Sequence, residues 1–159
     1  CIRDRARVYS ISFENVAVTA AQDFFEVSPA DDHPVVLLGL TIDQNSDVGD
    51  SAEEMLRYEV IRGHSTSGSG GSAVTPTPLD PGDTAAGFAA EANNTTIASA
   101  GTAVILHAGA FNIRSGLMLW WPPELTPVAN QGNTTIVVRL MAAPADSLSM
   151  SGTLYVAEL

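Results

Sequence analysis

Thr134–Met141 reads TTIVVRLM, and after a turn across Ala142–Ser149 the chain closes with SGTLYVAE, Ser151–Glu158. The first run alternates. Thr134, Ile136, Val138 and Leu140 share one face; Thr135, Val137, Arg139 and Met141 share the other. Alternation at period two among β-branched residues predicts a strand half buried in a sheet. Leu154 and Val156 share a face of the second run, which is expected to fold back on the first as a hairpin. Gly132 and Asn133 open the unit and Pro144, Asp146 and Ser147 turn it, each a residue suited to turns.

Further short strands follow the same logic. Val8–Phe13 places Tyr9, Ile11 and Phe13 on one face, with a short continuation at Val16–Thr19, and Asp23–Val27 is another strand. Val35–Ile42, VVLLGLTI, is the most apolar run, with Val36, Leu38, Leu40 and Ile42 on one face. Gly39 within it permits a bend or a close approach. Leu56, Tyr58 and Val60 alternate within Glu54–Arg62. Thr102–His107, Ala110–Arg114 and Leu117–Trp121 complete the set, the last stopped by Pro122-Pro123. The expectation is an all-β, antiparallel, jelly-roll-like sandwich of about nine short strands with turn signals between them. The stretch 63–82, GHSTSGSGGSAVTPTPLDPG, reads as a long projecting loop, flexible in its Gly/Ser half and stiff in its Pro half.

At 159 residues the chain fits one domain, expected at 8–159, preceded by a basic arm or flexible tail at 1–7, CIRDRAR. There is no lysine, and the seven basic residues are all arginine against eighteen acids, a net charge of −11. So acidic a body repels nucleic acid and anionic membranes. No apolar run approaches the ~20 residues of a membrane helix, and no signal-peptide core opens the chain. The single cysteine, Cys1, excludes an internal disulfide framework.

Chemistry-bearing patterns are sparse. Asp43, Asn45, Asp47 and Glu54 fall at places one, three, five and twelve of a calcium-loop spacing. Val48 occupies the sixth place, where the sharp turn wants glycine, so no metal is expected. His33, His64 and His107 each stand outside any metal-ligand spacing, and there is no GxSxG elbow. The Gly/Ser run lacks the Gly-Lys-Ser/Thr ending of a phosphate loop. No catalytic residue, cofactor or enzymatic activity is therefore expected. Trp120 and Trp121, adjacent in a strand, must face opposite sides, one into the core and one toward solvent or a partner. Asn93, Asn94 and Asn133 fit glycosylation sequons but read as turn chemistry.

VYSISFENVAVTAAQDFFEVSPAD, SDVGDSAEEMLRYEVIRGHSTSGSGGSA, NNTTIASAGTAV and TTIVVRLMAAPADSLSMSGTLYVAEL, covering nearly all of the chain after residue 7, resemble short structural proteins of tailed bacteriophages and prophages. The resemblance points to jelly-roll capsid decoration, or cement, proteins. It implies a virion protein on the outer surface of the phage head, assembled in the bacterial cytoplasm. Its partners would be itself, a homotrimer before a dimer, and a major capsid protein. The contact residues expected on this reading are Arg3, Arg5, Arg7, His64, Ser67, Pro76, Pro78, Trp120 and Trp121. A trimeric head-fibre or glycan-binding module is the alternative, motivated by the paired tryptophans.

Overall fold

The computed structural model describes residues 6–46, 53–130 and 134–159. Among them run β1 (Arg7–Val18), β2 (Gln22–Ser28), β3 (Val35–Gln44), β4 (Met55–His64), β5 (Ser72–Ala73) and β6 (Thr77–Pro78). Then follow β7 (Ala89–Asn94), β8 (Val104–Asn112), β9 (Leu117–Trp120), β10 (Val128–Ala129), β11 (Thr135–Leu140) and β12 (Leu148–Glu158). A short 3-10 turn, Pro123–Leu125, follows β9. The strands form two antiparallel sheets packed as a sandwich. One runs β10-β3-β12-β1-β6 with β9 also on β3; the other runs β5-β7-β2-β11-β4-β8.

The pairing has a simple plan. β1 pairs with β12, β2 with β11, β3 with β9 and β4 with β8. The first half of the chain is thus matched to the second half in reverse, as in one long hairpin. Rolling that hairpin brings β12 against β3 and β11 against β4. This is the jelly-roll arrangement.

The terminal runs are not a hairpin with each other. β11 lies between β2 and β4, and β12 lies between β1 and β3 in the opposite sheet. Residues 141–147 form a connection longer than the two to five residues of a common hairpin loop, and it crosses between the layers. Nor is β11 half buried, because all six of its residues are buried. Ile136, Val138 and Leu140 enter the main core, while Val137 packs with Ile61 and Ala98 on the other face.

The main core is built by alternation. Tyr9, Ile11 and Phe13 of β1 meet Leu40 and Ile42 of β3, Leu154 and Val156 of β12, and Phe25 and Val27 of β2. Phe13 lies 5.2 Å from Phe25 and 6.1 Å from Phe24, centroid to centroid. β1 continues through a bulge at Asn15, whose φ is 53°, where the sequence divides into two runs. In β3 the expected face changes at mid-strand. Leu37 and Leu40 both enter the core and Leu38 turns outward, because the register against β12 shifts beside Gly39. Residues 102–107 and 110–114 likewise belong largely to one strand, β8.

The stretch 63–82 does not project. Thr66 and Ser99 bridge, as do Ser69 and Thr96, with N···O distances of 2.9 Å. β5 pairs with β7, and β6 pairs with β1. The segments 64–71 and 94–101 therefore form a clasp over the outer face of the second sheet, and Ala98 is the buried apolar side chain beneath it.

Candidate functional site

β8 and β9 are the last strands on one side of the roll, one in each sheet. The turn between them is set by Asn112. Its carbonyl accepts the amides of Ser115 and Gly116 at 3.1 Å, and its side chain accepts the Arg114 amide at 2.9 Å. Pro122-Pro123 then ends β9 and starts the 3-10 turn. Between them opens a cleft of about 520 Å³, walled by Leu106, His107, Trp120, Trp121, Leu125 and Val128.

The two tryptophans part as alternation requires. Trp121 packs against the core, and its ring meets His107 edge-on at 6.2 Å and 90°. Trp120 is 55% exposed. It lies across the outer face of the first sheet, stacked on Tyr155 at 5.4 Å and 25°. Trp120, Gly39 and Tyr155 stand in one row across β9, β3 and β12. Gly39 makes the row possible, because a Cβ there would fall inside the indole.

Two polar groups of the cleft are already engaged. Arg62 donates from Nη1 to the Val128 carbonyl at 2.7 Å. His107 Nε2 and the Tyr58 hydroxyl share a hydrogen bond of 3.1 Å. Burial pushes the Tyr58 phenol above its ordinary value. What the cleft offers is largely apolar: Trp120 and Leu125 are exposed on its wall, and Val104, Ile105 and Met118 are exposed elsewhere on β8 and β9. On a chain of net charge −11, Glu124 is the only carboxylate among the described residues that line the cleft.

The other expected residues are scattered. Arg3 and Arg5 lie outside the described residues. Arg7 is the first residue of β1, not part of an arm, with Nη1 3.6 Å from Glu158 Oε2. His64 is buried, its Nδ1 3.3 Å from the Ala100 carbonyl, so the clasp covers it. Ser67 is exposed at the crest of the clasp, and Pro76 and Pro78 are half-buried beside β1. Of the calcium-spaced set, Asp47 lies outside the described residues. Asn45 reaches Asn15 Oδ1 at 3.3 Å, while Glu54 accepts the Ala145 amide at 2.8 Å. Among the described residues no three His, Cys, Asp or Glu side chains gather to hold a metal.

Sequence reasoning missed the polar network under the clasp. Asp23 of β2 and Arg139 of β11 form a buried forked ion pair, with Nη2–Oδ2 at 3.1 Å. Asp23 Oδ2 also accepts the Ala98 amide at 2.7 Å, and Arg139 Nη2 donates to the Ala98 carbonyl at 2.9 Å. Glu26 Oε2 accepts from the Gly68 amide at 2.9 Å and from Asn94 at 3.1 Å. The signal was present as charges within apolar strands, Asp23 and Glu26 in QDFFEV and Arg139 in TTIVVRLM.

Comparison with family models, curated proteins and solved structures finds no match.

Proposed function

We propose that this chain is a structural protein of a virus particle, a capsid decoration protein that associates with itself and bridges major capsid subunits. The observation that carries the reading is the exposed pair Trp120 and Leu125 on the wall of a largely apolar cleft, on a strongly acidic chain. A large exposed apolar patch on a folded domain is an interaction surface, and tryptophan is favoured at the anchor points of such surfaces. The jelly roll recurs in capsid proteins; that support is analogy of fold, and the sequence resemblance adds to it. Repetition over a symmetric shell multiplies modest contacts into firm attachment. The test is co-sedimentation with particles lacking the protein. Wild type is expected to bind to saturation and Trp120→Ala to bind at least about tenfold more weakly, the usual loss at an anchor residue. Absence of the protein from purified particles refutes the reading.

One observation favours a second reading, a glycan-binding module. The indole of Trp120 packs over Gly39 and stacks with Tyr155, and this aromatic face stays more than half exposed at Trp120. Such a face can stack on a sugar. Binding on a glycan array that is lost in Trp120→Ala supports this reading, and silence across the array counts against it.

A further inference from the structure

Among the described residues β8 ends its sheet, and it carries no Asp, Glu, Lys or Arg over VILHAGAFN. Natural edge strands are blunted by charge, proline or bulges, because an open row of N–H and C=O groups invites another strand. Here the register shift lies toward Ile105, and the ladder from His107 to Asn112 is regular.

The direction of its polar groups follows from one bond. Ile113 donates its amide to the Glu54 carbonyl at 2.9 Å. The same register pairs Phe111 with Leu56, Gly109 with Tyr58 and His107 with Val60. In an antiparallel ladder alternate residues turn both backbone groups to the partner strand. Those odd-numbered residues thus face β4, and Ala108 and Ala110 present N–H and C=O to the open edge. Both alanines are exposed.

We propose that two copies of this chain join through β8, antiparallel, about a two-fold axis at Gly109. Ala108 of one copy then faces Ala110 of the partner subunit, which makes roughly four backbone hydrogen bonds across the axis. The two Gly109 residues meet at the closely spaced, non-hydrogen-bonded site, where neither brings a Cβ.

Charge selects this register over its neighbours. On the outer face Ala110 lies beside Arg57 and Ala108 beside Glu59. Neither charge has an ion-pair partner among the described residues. Facing Ala108 with Ala108 would align two glutamates, and facing Ala110 with Ala110 would align two arginines. Only the proposed register places Arg57 across from Glu59, and symmetry does so twice. Their backbones would stand three strand spacings apart, about 14 Å. Extended Arg and Glu side chains leaning over two alanine methyls span that distance. A net charge of −11 opposes self-association elsewhere on the molecule. The uncharged edge, flanked by a self-complementary pair, is where two copies approach at least cost.

The inference stands on the edge itself and does not require the particle reading; solution mass tests it without any capsid. Sedimentation of the full chain at micromolar concentration is expected to give a dimer. Ala108→Pro removes only an amide that points outward, so it is expected to give a folded monomer with unchanged circular dichroism. Arg57→Glu and Glu59→Arg are each expected to raise the dissociation constant roughly tenfold, since like charges then align across the axis. The double variant is expected to restore the dimer, a result that general loss of fold cannot produce. A monomeric wild type at about 100 µM, single reversals without effect, or a double variant that fails to recover overturns the proposal.

Discussion

Arg139→Met tests what holds the clasp to the sheet. The guanidinium of Arg139 answers the Asp23 carboxylate on one side and the Ala98 carbonyl on another, and the Asp23 side chain has no exposed area. Methionine fills much of the same space but leaves that carboxylate with the Ala98 amide alone. Breaking a buried ion pair from one side costs about 3–5 kcal/mol, because a charge stays behind without compensation. Domains have only about 5–15 kcal/mol in total, so the loss would remove a large fraction. For a chain of this length each kcal/mol moves Tm by about 2–4 °C, giving a drop of about 6–20 °C. Removing both charges, as Asp23→Leu with Arg139→Met, leaves an apolar pair with nothing ionised beneath the clasp. That variant should recover to within about 1–2 kcal/mol of wild type. It still deprives Ala98 of partners for both backbone groups, so the clasp should open locally even though the sandwich holds. Urea unfolding supplies the global values, and amide exchange at Ala98, Ser99 and Thr66 reports the opening. A cost for Arg139→Met below about 1 kcal/mol, or a double variant no better than the single, would refute the reasoning.

Gly39→Ala should lift Trp120 from its shelf, since the new methyl would occupy the indole's place; a change in tryptophan emission with a loss of no more than about 3 kcal/mol is expected, as for other overpacked sites. Gly101→Ala should destabilise the clasp by about 1–2 kcal/mol, because Gly101 has φ 70° and a side chain there meets the Gly63 carbonyl. Burial raises the Tyr58 phenol, so the native state keeps its proton after the unfolded chain begins to ionise near pH 10. Stability from this source is complete below about pH 10 and is lost as pH rises through the folded value. Unfolding measured from about pH 9 to 11.5 should therefore fall less steeply in Tyr58→Phe, and equal slopes would exclude Tyr58 as the cause.

How much of this was legible depends on what each strand had to satisfy. β1 was readable because Tyr9, Ile11 and Phe13 bury one face and leave Ser10 and Ser12 less buried, so period two carries the answer. β11 was readable as a strand but not as a central one. Its second face is covered by a segment some forty residues earlier in the chain, and a local pattern does not contain that distance. The same holds for the false hairpin. Adjacency in sequence favours pairing β11 with β12, but rolling the chain offers β11 two apolar neighbours, β2 and β4, and offers β12 the matching faces of β1 and β3. The Gly/Ser stretch misled for a related reason. Small residues signal flexibility when nothing lies beneath them, yet they also let backbone approach backbone closely, as Gly68 and Gly71 do against the Asn94 strand end. At the candidate site the parting of Trp120 and Trp121 followed from alternation alone, whereas the shelf for Trp120 needed three strands in register. The edge at β8 lies between these cases. AGA at Ala108–Ala110 is plain in the sequence, but it becomes an open edge only once the roll leaves β8 without a second neighbour, and Arg57 and Glu59 become its flanking charges only through the β4 register.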